Sequence, residues 1–112
     1  VTGSKQPSLI SRLNDDFNIG REDIVSGFDV KNGKPDPEPY LRALGKAACS
    51  ADEAIVVENA PLGILSARAA GLLTVAVNTG ILKPEVLSEA GASLVLDSTS
   101  QLAELWPNII KS

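Results

Sequence analysis

The sequence predicts an α/β fold: an open parallel sheet with helices on both faces. Short apolar runs of strand length, at residues 54–57, 73–77 and 94–96, alternate with stretches of helical periodicity. Single helices separate these runs, and such crossovers are nearly always right-handed, which makes neighbouring strands parallel. With 112 residues, 44% hydrophobic and 21% charged, the chain has the composition of one globular domain at most.

Val1 and Thr2 read as the stub of a strand. A helix is expected over residues 7–17, with Leu9, Ile10 and Leu13 on one face. Residues 24–28 are expected to form a short second strand, and residues 31–34 a loop. Pro35, Asp36 and Pro37 then set up a helix that runs to Ala47, because Asp caps free amides and Pro fits a first turn. Ser50 and Glu53 have capping-box spacing for a single turn. The apolar continuity of residues 54–57 predicts a central strand buried on both faces.

Pro61 opens the next helix and Gly71 closes it, with Gly63, Ala67, Ala69 and Ala70 small enough to let the helix lie close to a sheet. After the strand at 73–77 come a helix from Pro84 to Ala90 ending at Gly91, a strand at 94–96, and a last helix capped by Ser98 or Thr99. Trp106 is expected to cover the core, and Cys49, beside Ala47 and Ala48, to be a buried small apolar residue.

Composition narrows the chemistry. The sequence has no His and a single Cys, which excludes His-based triads, His-ligated metals and an internal disulfide. Asp, Glu, Asn, Lys and hydroxyls remain, a set suited to oxygen-ligated Mg²⁺ and to phosphate. The net charge is −4 and the Lys and Arg residues are scattered, so no nucleic-acid partner is expected. No apolar stretch approaches the roughly 20 residues that span a bilayer, and residues 1–5 do not resemble a secretion signal. No membrane partner and a cytoplasmic location are the expectations.

Ligands of open parallel sheets bind at the carboxyl ends of the strands, and three tips carry suggestive residues. At Val1-Thr2-Gly3-Ser4 a hydroxyl, a flexible Gly and amides leading to a helix make an anion cradle, or a bare turn with Ser4 as cap. At Gly33-Lys34-Pro35-Asp36-Pro37 the lysine is fixed between Gly and Pro, able to neutralise phosphate or simply solvated. At Glu58-Asn59 two hard oxygen ligands follow an apolar strand; they are half of a Mg²⁺ site, or a helix cap beside a dipole-stabilising carboxylate.

These segments in this order, VTGS, GKPDPEPY and VVENAPLG followed by ARAAG, resemble the second, third and fourth motifs of the haloacid dehalogenase superfamily, in the branch of β-phosphoglucomutase and related phosphatases. The resemblance covers essentially the whole chain. It implies a Rossmann-like core and phosphoryl transfer to an aspartate on a first strand, with a second aspartate two residues later as general acid and base. It implies catalytic roles for Thr2 and Lys34, phosphate contacts from Thr2, Gly3, Ser4 and Lys34, and Mg²⁺ held or oriented by Glu58 and Asn59. Asn59 departs from the commoner acidic residue there, and a neutral amide contributes no charge to the metal. Lys5 stands where relatives can carry another phosphate-facing lysine, but lies outside the expected site.

The resemblance further implies that residues 1–112 are the C-terminal portion of a single core domain. The aspartate-bearing first strand and the helical cap that selects substrate are absent, and the missing N-terminal segment is an expected partner. Without it the chain would be inactive, and its strands at 54–57 and 24–28 would expose edges that other polypeptide covers. The expected reaction is Mg²⁺-dependent hydrolysis of small phosphorylated metabolites or pyrophosphate through an aspartyl-phosphate. A sugar phosphate mutase and a non-catalytic phosphate-binding module remain alternatives. A receiver-like signalling domain fits the three motifs less well.

Overall fold

In a computed structural model, residues 1–80 and 82–111 are described, apart from the side chains at positions 9, 10, 13, 14, 17, 21, 110 and 111. The expected apolar face of Leu9, Ile10 and Leu13 therefore lies outside the described residues. In chain order the elements are α1 (Pro7–Phe17), α2 (Glu38–Ala47), β1 (Ile55–Glu58), α3 (Pro61–Ala69), β2 (Leu73–Val77), α4 (Pro84–Glu89), β3 (Leu94–Leu96) and α5 (Thr99–Lys111), with 3₁₀ turns at Arg21–Asp23 and Ala51–Glu53.

The strands form a parallel sheet in the order β1-β2-β3, registered Val56 to Thr74 and Ala76 to Val95. Helices flank it as the alternating pattern requires. Tyr40 of α2 and Ala67 of α3 pack with Val56 and Leu72, while Ile64 of α3 and Leu87 of α4 pack with Ala76. Val75, Val77 and Leu96, which alternation turns to the opposite face, are buried as well, and α5 contacts β3.

The punctuation acts as expected. Gly71 and Gly91 follow α3 and α4 at φ +82° and +117°, a region that L side chains rarely adopt. Ser50 and Glu53 form a capping box, and the Ser98 hydroxyl accepts from the Gln101 amide at 3.1 Å. Asp36 Oδ1 accepts from the Glu38 amide at 2.9 Å at the start of α2.

Other expectations need correction. Residues 1–2 and 24–28 form no strand; residues 1–4 meet 24–28 through two bonds, Thr2 N to Val25 O at 2.8 Å and Gly27 N to Ser4 O at 2.9 Å. The chain turns away because Asp29 Oδ2 accepts from both the Ser26 amide and hydroxyl, and the Ile24 carbonyl is taken by Lys46 Nζ at 2.7 Å. Side-chain bonds, local from Asp29 and long-range from Lys46, occupy backbone groups that a ladder would use.

Strand β1 is not buried on both faces. It lies at one end of the three-stranded order, and Val57 is 45% exposed. Trp106 keeps 39% of its surface exposed and so covers the core only in part. Cys49 is half-buried, on the wall of a cleft that follows the outer edge of β1.

Candidate functional site

The cleft has a volume of about 720 Å³ and gathers Thr2, Gly3, Lys34, Glu58 and Asn59. These residues come from the segment before α1, the loop before α2, and the tip of β1. Ser4 does not line the cleft: its hydroxyl accepts from the Gln6 amide at 3.1 Å, and its amide donates to Thr2 Oγ1 at 3.2 Å. The helix cap expected as one alternative at Ser4 is not formed: Gln6 is the residue that precedes the helix, no side chain caps it, and the Ser4 hydroxyl closes only a local turn before it. The bond to Thr2 leaves that hydroxyl's own proton to donate.

The centre of the site is an ion pair. Lys34 Nζ donates to Glu58 Oε1 at 2.5 Å, with the side chains 20% and 8% exposed. Tyr40, from the first turn of α2, donates its hydroxyl to the same oxygen at 2.6 Å, and its ring centroid lies 5.5 Å from the Lys34 ammonium. Glu58 Oε2 accepts from the Asn59 amide at 3.1 Å.

Burial alone would push the Glu58 carboxyl up. The hydrogen bonds from Lys34 and Tyr40, the Lys34 charge and the Asn59 amide outweigh it and hold the carboxyl below its ordinary range. Burial, reinforced by the hydrogen bond and charge of Glu58, pushes the Tyr40 hydroxyl well above its ordinary value, so it remains a donor. An ammonium has three N–H donors, and Glu58 engages one of them.

Gly63 makes room for this arrangement. A Cβ there would collide with the Glu58 carboxylate, so the small residue that pattern reading assigns to helix–sheet packing serves the site as well. At Gly3 and Gly33 an added Cβ would meet nothing within 4 Å, so packing does not demand glycine at either position.

The metal expectation rests on Glu58 and Asn59. Asn59 Nδ2 donates to Thr79 Oγ1 at 3.3 Å, which turns its amide oxygen toward other partners. Among the described residues no group of three or more Asp, Glu, Cys or His side chains is placed to hold a metal. The chemistry still suits Mg²⁺ as a partial donor set, since that ion is commonly held by one or two protein oxygens together with substrate phosphate oxygens and water.

Tyr40 and Thr79 also line the cleft, and the sequence reading did not single them out. Thr79 lies two residues beyond the end of β2, so inspection of every strand tip would have found it. Tyr40 lies 18 residues from its partner Glu58 and carries no local signal. A smaller cleft of about 220 Å³ adjoins Thr2 and Lys34 and is lined by Lys5 and Lys31.

The haloacid dehalogenase-like hydrolase family model matches residues 1–77. The chain is 38% identical over 99 residues to 2-deoxyglucose-6-phosphate phosphatase 2 of Saccharomyces cerevisiae, spanning 81% of this chain and 40% of that protein. It is 41% identical over 81 residues to hexitol phosphatase A of Escherichia coli, spanning 72% of this chain and 36% of that protein. A solved structure from Bacteroides vulgatus, described as a β-phosphoglucomutase, superposes with a TM-score of 0.89 at 43% identity, covering 97% of this chain and 44% of that one. The chain thus spans less than half the length of each of these relatives. No described helix is long and apolar enough to cross a membrane. A parallel sheet with the Lys34–Glu58 pair at its tip, the family match over residues 1–77 and these relatives agree: the chain belongs to the haloacid dehalogenase-like hydrolases, in their β-phosphoglucomutase-like branch.

Proposed function

We propose that the protein containing this sequence is a Mg²⁺-dependent phosphohydrolase of small phosphorylated metabolites, with hexose and hexitol phosphates as the leading substrate class. The observation that carries the reading is the part-buried Lys34–Glu58 pair, which lines the same cleft as Thr2. Phosphoryl transfer asks the protein chiefly for positioning and countercharge on the equatorial oxygens. Lys34 supplies a held cation, Thr2 an oriented hydroxyl, and the amides of Gly3 and Ser4 lie beside it. Bound Mg²⁺ would supply further charge neutralisation, with Asn59 and Glu58 as its protein oxygens in this chain.

The substrate class is supported by the relatives, two of which are phosphatases named for 2-deoxyglucose 6-phosphate and for hexitol. The nucleophilic aspartate and the cap are proposed to lie in a preceding segment of the same protein. A mutase reading is favoured by the Bacteroides vulgatus structure.

The test compares this chain with a longer one that includes the preceding segment. Phosphate release from 2-deoxyglucose 6-phosphate, hexitol phosphates and pyrophosphate is followed with and without Mg²⁺. Activity in the longer chain alone, lowered about 10²- to 10³-fold by Lys34→Ala, is the expected result. Interconversion of sugar 1- and 6-phosphates without phosphate release would favour the mutase. Phosphate binding with no turnover in either chain would favour the binding module.

A further inference from the structure

Lysine side chains are long and flexible, and ordinarily reach water in many rotamers. Lys34 instead sits 20% exposed on the loop before α2, so something must fix the backbone beneath it. Two anchors bracket it. On the N-terminal side, the Glu38 carboxylate reaches back from the first turn of α2 and accepts from two consecutive amides, Lys31 N to Oε2 at 2.7 Å and Asn32 N to Oε1 at 3.0 Å. On the C-terminal side, the fully buried Ser66 of α3 donates its hydroxyl to the Asp36 carbonyl at 2.6 Å.

The loop also closes on itself. Asp36 N donates to Gly33 O at 3.0 Å, and Asp36 Oδ1 holds the amide of Glu38 at 2.9 Å. Arg42 Nε lies 3.6 Å behind the carboxylate. A carboxylate that accepts two adjacent amides fixes the orientation of both peptide planes, because each N–H must point at its own oxygen. Glu38 does not line the cleft, and its carboxylate reaches the site through the Lys31 and Asn32 amides of the loop that carries Lys34.

We infer that Glu38 is a positioning residue for Lys34: its bidentate hold on the Lys31 and Asn32 amides, with Ser66 anchoring the far side, places the ammonium on Glu58 and over the Tyr40 ring. The inference gives Lys34 its mechanistic value only on the phosphotransfer reading above. It is therefore tested by a readout that does not use phosphate. Because the Lys34 ammonium lies 5.5 Å from the Tyr40 ring centroid, the adjoining ε-methylene protons are expected to show a ring-current shift and cross-peaks to the ring in NMR spectra.

Glu38→Ala is expected to speed hydrogen exchange at the Lys31 and Asn32 amides by about tenfold or more and to collapse the Lys34 ring-current shift, while amides of β2 keep their protection. Glu38→Gln retains one acceptor and is expected to be intermediate; it also serves if the alanine variant fails to fold. Fast exchange at Lys31 and Asn32 with the Lys34–Tyr40 cross-peaks intact would overturn the inference and reduce Glu38 to a helix-start clamp. Unchanged exchange in either folded variant would overturn it as well. Absence of enzymatic turnover in the longer chain leaves both outcomes readable.

Discussion

Replacing Tyr40 by Phe isolates one hydrogen bond at the centre of the site. The ring stays in the cluster with Val56, Ala67 and Leu72, so packing is retained and only the hydroxyl is lost. That hydroxyl donates at 2.6 Å to a carboxylate whose side chain is 8% exposed. Hydrogen bonds to charged groups contribute about 1.5–3 kcal/mol, and because Lys34 still holds Glu58 Oε1, the lower end, about 1.5 kcal/mol, is expected for Tyr40→Phe. Urea denaturation at pH 7 measures it as a lower midpoint with an unchanged slope. Tyr40→Ala, which also removes core volume, should cost about 3–5 kcal/mol. A loss below about 0.5 kcal/mol in Tyr40→Phe would refute the claim that the hydroxyl stabilises the charged carboxylate, since a neutral surface substitution does no more than that.

Two further perturbations probe the same carboxylate. Because the Glu58 carboxyl is held below its ordinary value, its contribution to stability is present at neutral pH and is lost as pH falls from about 4.3 through the depressed folded value. In Lys34→Ala burial is left against a weaker set of partners, so the folded value is expected to rise above the unfolded one. The contribution then reverses sign, present at low pH and lost as pH rises, which urea midpoints across pH 3–7 will show. Gly63→Ala places a methyl against the Glu58 carboxylate and is expected to cost about 1–3 kcal/mol by overpacking, whereas Gly33→Ala, with open space around it, serves as the control in the same thermal melts.

How legible the molecule is depends on the range of the interactions that decide each part. Gly71, Gly91 and the Ser50–Glu53 pair act within a few residues, and the elements they bound fall where the sequence places them. Residues 24–28 mislead because an apolar run suggests strand, while Ser26 and Asp29, three apart, satisfy the backbone locally instead. The burial of β1 misleads for a different reason: periodicity reports which side chains are apolar, not which edge of a sheet they lie on. In the site, Thr2, Gly3, Lys34, Glu58 and Asn59 line one cleft, although only Glu58 and Asn59 stand at the tip of a strand and the other three come from loops. The contacts that fix their geometry, Tyr40 to Glu58 and Ser66 to Asp36, span 18 and 30 residues and leave no local trace.

The proposed metal requirement can be argued from charge at the β1 tip. Lys34 and Glu58 cancel, and Asn59 adds no charge. The cleft wall changes character along its length, from Ala43, Leu44, Ala47 and Ala54 to Lys34, Glu58, Asn59 and Thr79. An extended segment laid parallel to β1 rises about 3.3 Å per residue, so four or five apolar residues would carry it to the tip and deliver the next side chain among Thr2, Lys34 and Glu58. If that side chain is the proposed aspartate, and a phosphate monoester enters beside it, the tip gains about two to three negative charges, and among the described residues lining this cleft the one Lys or Arg is Lys34, already paired with Glu58. Lys34 cannot serve both Glu58 and the newcomers fully, and leaving those charges uncompensated in a closed site is costly. A divalent cation restores the balance. In the longer chain, phosphate binding without Mg²⁺ should therefore be weak and should strengthen in Glu58→Gln, which frees Lys34 from its carboxylate partner. Isothermal titration with inorganic phosphate measures both, and metal-independent binding unaffected by Glu58→Gln would refute the charge argument.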